Sequence, residues 1–401
     1  MASFTSPELS APAGSLDKLK VAVTFGADAV YFGGRAFSLR AGAAGLSDAE
    51  MAEGISFAHA RGAKAYLALN AFMRDADIDA LPSAIESAAG LGADAFIVSD
   101  PGALALCRKL APDAAVHIST QANVMNAASA RFWADHGASR IVLSRELTLE
   151  GAAGIIRRAP CVAFEVFVHG AMCVSYSGRC LLSAAMTGRS ANSGECAQPC
   201  RYSYAVAEEK RPGAYFPVEE AAGQSYIFNA ADLSMISHLP ELAGTGAAAL
   251  KIEGRMKSAG YAAGAVYAYR RALDDLAAGR RVNVAEYESE LSKISHRPYG
   301  TGFYFGDPLQ VAGSSEYVRE RRFLGIVRGY ADGAAIVEQR GKFSVGESAE
   351  FLTPDGAFGD TITSIRTEDG ARIETANRTL ERVMVETRRP VPEYSILRSA
   401  E

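Results

Sequence analysis

The sequence lacks several features that would fix its class at once. It holds no run of about 20 apolar residues to span a bilayer. Its opening, MASFTSPELSAPAGS, has neither the basic nor the apolar region of a signal peptide. There is no surplus of positive charge: 41 Lys and Arg stand against 46 Asp and Glu, for a net charge of −5. That excludes nucleic-acid binding by bulk charge and leaves room only for a local basic patch. G-x-G-x-x-G is absent, so a nucleotide-binding open sheet has no support. Neither H-E-x-x-H nor G-x-S-x-G occurs, so zincin and serine-elbow hydrolases have none either. Cysteine is scarce, six in 401 residues, and the expected compartment is the reducing cytoplasm, where clustered thiols favour metal over disulfides.

What is present alternates. Short β-branched runs, among them AVYFGG (29–34), KAYLALN (64–70), DAFIVSD (94–100), AVHIST (115–120), RIVLS (140–144) and VAFEVFV (162–168), are separated by amphipathic stretches. Strand alternating with helix predicts βα units and a parallel sheet. A faint repeat, FGADAVYFGG, LGADAFIVSD, HGASRIVLSR and GTGAAALKIEG, places glycines at 26, 92, 137 and 246. Those intervals lie close to three, two and five times about 22, the expected length of one βα unit. With about eight strands between ELSAP (8–12) and ALKIEG (249–254), the fold class predicted is α/β, a (β/α) TIM-like barrel over 1–294. A cysteine-rich insertion at 169–224 interrupts it. The polar SHRPYGTGFYFGDP opens a linker at 295–315, and 316–401 alternates as a small C-terminal all-β barrel domain. That last region has 13 basic and 15 acidic side chains, so it is no basic clamp.

Four of the six cysteines, Cys173, Cys180, Cys196 and Cys200, are spaced C-x6-C-x15-C-x3-C. Four thiolates can close a tetrahedral zinc site or hold a [4Fe–4S] cube. Only the second pair is tight enough for a zinc knuckle, and a cube tolerates uneven spacing. Zinc and unligated thiols stay open on spacing alone. Cys107 and Cys161 are read as small buried hydrophobes.

Active-site groups of a barrel stand at the carboxyl ends of its strands. Glu165 and His169 flank the end of FEVFV, and alternation puts Glu165, Phe167 and His169 on one side. They are candidate acid–base groups, with a buried structural ion pair as the rival reading of Glu165. Lys251, Glu253 and Arg255 in LKIEGR share a face and are costly to bury unless paired or used. Asn70, Gln121 and Asn123 follow strands, where amides either orient a substrate or satisfy loop backbone. Arg40 and Arg145 are read as grips for a carboxylate or phosphate, with a structural ion pair as the rival reading. His296 and Arg297 either touch RNA or cap the linker.

The segment FEVFVHGAMCVSYSGRCLLS (164–183) resembles the signature of peptidase family U32, the collagenase-like peptidases. ELSAPAGSLDKLKVAVTFGADAVYFGG, HISTQANVMN, LSRELTLEG, LKIEGRMKSAGYAAGAVYAYR and SHRPYGTGFYFG resemble its other blocks, so the likeness runs through essentially the whole chain. The resemblance is strongest to the branch that forms 5-hydroxyuridine at the tRNA wobble position. It implies that Cys173, Cys180, Cys196 and Cys200 hold a [4Fe–4S] cluster, that prephenate serves as co-substrate, and that tRNA and an electron donor are partners. No membrane partner is expected, because no apolar run is long enough to span a bilayer. The same resemblance leaves a peptidase, a 23S rRNA hydroxylase and an oxygen-independent ubiquinone hydroxylase as rivals. A zinc-stapled RNA-binding module without catalysis is the non-enzymatic rival. Oligomeric state is not legible.

Overall fold

The computed structural model describes residues 6–39, 45–173, 175–176, 179–202, 205–207, 215–217, 231–306 and 317–400. Eight parallel strands form its centre: β1 (Glu8–Pro12), β2 (Ala29–Gly34), β3 (Lys64–Leu69), β4 (Ala95–Val98), β5 (Ala115–Ile118), β6 (Arg140–Val142), β7 (Ala163–Ala171) and β8 (Ala249–Ile252). Each pairs with the next. Glu165 of β7 opposes Ala249 of β8, and Ala249 also opposes Glu8 of β1, which closes the barrel. Helices α1 (Leu16–Thr24), α2 (Asp48–His59), α3 (Asp75–Gly90), α4 (Pro101–Leu110), α5 (Ala127–Asp135) and α6 (Leu149–Arg158) follow β1 to β6 in turn. A short α7 (Leu182–Thr187) lies in the cysteine loop, α8 (Leu239–Ala243) follows β7, and α9 (Ala259–Ala277) follows β8.

The local sequence explains these starts and stops. Ser15, Ser47, Asp100, Asn126, Thr148 and Ser258 accept backbone N–H groups as N-caps, satisfying donors that a helix leaves orphaned. The repeat glycines at 26, 92, 137 and 246 have φ of +98°, +91°, +99° and +86°. Each turns the chain out of a helix, where a Cβ would be strained, into β2, β4, β6 and β8 respectively. The repeat therefore marks every second strand, and each interval holds two βα units. The expected three-, two- and five-unit count fails because the loops differ in length and the cysteine insertion falls in the last interval.

The main apolar core lies between strands and helices and includes Leu9, Phe32, Phe96, Phe164, Tyr261 and Tyr269. A smaller cluster fills the barrel itself: Ala29, Tyr31, Tyr66, Ala68, Ala95 and Ile97. Cys107 is buried as expected, but Cys161 is exposed, in the turn before β7 begins. Among the described residues no helix is long and apolar enough to cross a membrane.

The stretch read as a linker belongs partly to the barrel. Tyr299 and Gly300 pair with Asp232 and Leu233, which in turn pair antiparallel with the end of β7. Arg297 is 1% exposed and grips Asp232 through Nε (3.0 Å) and Nη2 (2.7 Å), and His296 stacks on Tyr299. Neither side chain is available to RNA. After α10 (Val284–Ser292), an eight-stranded antiparallel sheet begins with Phe323–Ala331 and ends with Ile396–Ser399. It docks on the barrel through Ile326, Leu352, Tyr394 and Ile396, which join the main core, and through ion pairs of Arg398 with Glu290 and of Arg328 with Asp17.

Candidate active site at the barrel mouth

A cavity of about 150 Å³ opens at the carboxyl ends of the strands. Tyr31, Ala68, Ile97, Val142, Phe167 and Lys251 form its floor. Asn70, Ser119, Gln121, Arg145, Glu253 and Arg255 form its rim, and Cys173, Cys180, Cys196 and Cys200 line it from the insertion above.

Below the floor lies a charged network. Lys251 Nζ is 2.9 Å from Glu165 Oε1, and Arg140 Nη1 is 3.7 Å from Glu165 Oε2. Arg140 also pairs with Glu8 at 2.5 Å, and the Tyr66 hydroxyl donates to Glu8 at 2.9 Å. Burial works to raise the Glu165 carboxyl, but Lys251 and Arg140 outweigh it and hold the group below the usual carboxylate range. Glu165 is therefore an ionised counter-charge that fixes Lys251, and it does not itself line the cavity. Lys251 lies 3.7 Å from the Tyr31 ring centroid, and the Tyr31 hydroxyl donates to Glu253 Oε2 at 3.1 Å.

The rim is held rigidly. Asn70 Nδ2 donates to Ser119 Oγ (3.0 Å) and to Gln121 Oε1 (3.1 Å), and Ser119 also donates to Gln121. Arg145 donates to the Ala171 carbonyl at 3.1 Å and Arg255 to the Leu39 carbonyl. Two guanidinium groups, one ammonium and two amides thus face one small space, a set suited to a carboxylate-bearing or polar planar ligand.

The cysteine loop is tied to this rim. Arg179 Nη2 donates to the Gln121 carbonyl (3.1 Å), and Phe72 N–H donates to the Asn192 carbonyl (3.0 Å). All four thiols are half-buried. The Leu182 N–H donates to Cys180 Sγ at 3.3 Å and the Gln198 N–H to Cys196 Sγ at 3.4 Å. Among the described residues no three His, Cys, Asp or Glu side chains are disposed to hold a metal ion. The four cysteines line the wall of one cavity. Four soft thiol donors on one cavity wall are the donor set that an iron–sulfur cube takes.

Sequence alternation fails at His169. The β7–β8 register shifts between Lys251 and Ile252, so Phe167 opposes Lys251 while His169 opposes Ile252. His169 turns out of the barrel into a nest of Tyr261, Tyr269 and Tyr299, 1% exposed, and burial pushes its pKa down to about 3. It does not line the mouth cavity. Asn123 also stands outside the cavity, in left-handed backbone (φ +54°) after a 3-10 turn. Arg40 lies outside the described residues. Tyr31 and Ser119 are cavity residues that the sequence reading passed over. Alternation in AVYFGG and VHIST points both inward, beside Ala29 and His117.

The chain matches the family model "Peptidase family U32" over residues 14–312 and the model of that family's C-terminal domain over 319–398. It is 36% identical to "tRNA hydroxylation protein P1" of Bacillus subtilis (strain 168), over 94% of this chain and 90% of that one. It is 35% identical to "tRNA hydroxylation protein P" of Escherichia coli (strain K12), over 92% and 91%. It is 37% identical to the "23S rRNA 5-hydroxycytidine C2501 synthase" of the same organism, over 67% of this chain and 39% of that one.

Proposed function

The chain belongs to peptidase family U32, and from that premise we propose that it is an RNA hydroxylase acting on tRNA, at C5 of the wobble uridine. One observation carries the reading: four half-buried thiols and a cationic, amide-lined pocket wall the same cavity at the catalytic end of a barrel. Relatives that match nearly the full length are named for tRNA hydroxylation, which supports the same substrate.

Cys173, Cys180, Cys196 and Cys200 would hold the [4Fe–4S] cluster, which supplies one-electron transfer when bound. Lys251, fixed by Glu165, and Arg145 and Arg255, fixed by backbone carbonyls, would take the carboxylates of prephenate. Asn70 and Gln121, locked together with Ser119, would orient a base by its polar edge. Glu253, held by the Tyr31 hydroxyl, is the carboxylate on the rim placed to accept a proton. Converting C–H to C–OH removes two electrons and adds one oxygen atom, so the proposal calls for an electron acceptor and an oxygen donor besides these residues.

A peptidase reading has less support. The cavity thiols have no histidine beside them, since His117 and His169 are buried away from the cavity. The test is nucleoside analysis of tRNA from a strain lacking this protein and any redundant pathway. Loss of 5-hydroxyuridine-derived nucleosides, restored by the wild-type chain, is expected. Unchanged nucleosides sink the proposal, and gelatin cleavage by pure protein would favour the peptidase.

A further inference from the structure

A second, larger depression of about 650 Å³ runs between the start of α9, the end of α10 and the first residues of the C-terminal sheet. Six cations line it, Lys257, Lys293, Arg319, Arg321, Arg322 and Arg398, against one carboxylate, Glu253. This excess is local, because the C-terminal region as a whole is slightly acidic. The six are not equivalent. Lys293 and Arg398 are neutralised by Glu290 and Glu350, Arg322 pairs with Glu347, and Lys257 lies 3.9 Å from Asp232. Those residues build the wall. Arg319 is exposed and Arg321 half-buried, and neither has an acidic partner among the described residues. Both lie on the strip that leads into Phe323, beside Tyr317, whose ring sits 3.9 Å from Lys257 Nζ.

The depression adjoins the mouth cavity. Ala171, Gln198 and Glu253 line both, and Gln198 stands between two of the loop cysteines. We propose that this groove is the track for the RNA phosphate backbone, with Arg319 and Arg321 as its phosphate contacts, delivering a splayed base over Gln198 and Glu253 into the cavity. The proposal rests on the RNA reading above and assigns the surface that serves it. Uncompensated cations along an open groove suit a polyanion, whereas a protein interface would be depleted of charge at its centre. Aromatic rings among the cations suit unstacked loop bases. The track also explains how a net-negative chain can hold RNA, because the contacts are concentrated along one groove.

The test is binding of a fluorescent anticodon stem-loop RNA over a salt series. The full-length wild type is compared with Arg319→Ala/Arg321→Ala and with Arg319→Glu/Arg321→Glu. Both positions are outside the core, and a thermal melt checks that the fold is kept. Affinity should fall about tenfold or more in the alanine pair and further in the glutamate pair. The log–log salt slope of the alanine pair should flatten by roughly 1.4, two contacts at about 0.7 each. Equal affinity and slope for all three chains would overturn the track while leaving hydroxylation intact. Failure of the wild type to bind RNA at any salt would overturn it as well. Nucleoside analysis of a Cys196→Ser strain is the separate readout of the function: unchanged nucleosides there would count against hydroxylation and leave a measured groove standing.

Discussion

The lower and upper halves of the barrel interior are built from different materials. Below, Glu8, Arg140, Glu165 and Lys251 form a balanced set of two acids and two bases, tightly paired and buried or nearly so. Above, the cysteines are half-buried, their loop is anchored by a few backbone and side-chain hydrogen bonds, and the cations face open space. The lower half fixes charges by pairing them. The upper half turns cations and amides, steadied by backbone carbonyls and by one another, toward a cavity. Lys251 belongs to both, anchored to Glu165 below and presented to the cavity above.

The comparison is broken most severely at the cysteines. Cys196→Ser should abolish hydroxylation and bleach the protein while leaving the barrel folded, checked by tRNA nucleoside analysis and circular dichroism. Full activity would remove the thiols from the chemistry. Glu165→Gln should cost about 3–5 kcal/mol of stability, because it leaves Lys251 buried without its counter-charge. Chemical denaturation measures that loss. The paired change Glu165→Leu/Lys251→Met should recover most of the stability and none of the activity, which separates the two jobs of Lys251. Arg145→Ala should raise the concentration of prephenate needed for half-maximal activity by about tenfold or more, with the melting temperature little changed. An unchanged requirement would place the carboxylate elsewhere.

The smallest effect lies outside the barrel. His169 faces Asp232, Lys257 and His296 besides its three tyrosines, and burial holds its pKa near 3. The unfolded chain takes up a proton below about pH 6.5 that the folded chain refuses. Stability from His169 is therefore full above that pH and declines as pH falls toward 3, by at most about 1.4 kcal/mol per pH unit. His117, buried inside the barrel, acts with the same sign. Unfolding measured from pH 6.5 to 4.5 should show a shallower slope for His169→Phe than for wild type. Equal slopes would mean that His169 is charged in the fold.

Strand positions were legible because hydrophobic runs, helix caps and turn glycines all agree on them. AVYFGG is β2 as predicted, and Ser15 and Ser47 begin helices where alternation changes period. Counting βα units from glycine spacing failed because loop length leaves no fixed period. At the site, LKIEGR placed Lys251, Glu253 and Arg255 on one cavity, since alternation carries past the end of β8. The same logic misplaced His169, because a register shift between neighbouring strands is a tertiary feature with no mark in FEVFVH. The basic groove was illegible for a related reason. Its walls come from segments far apart in sequence, and the C-terminal charge count averages them away.

The most direct measurement is iron and acid-labile sulfide analysis, with an absorption spectrum, on the anaerobically purified wild-type chain. Four irons and four sulfides per chain, with a broad band near about 400 nm that vanishes in Cys196→Ser, is the result predicted. A colourless protein carrying one zinc, or no metal, would contradict the account.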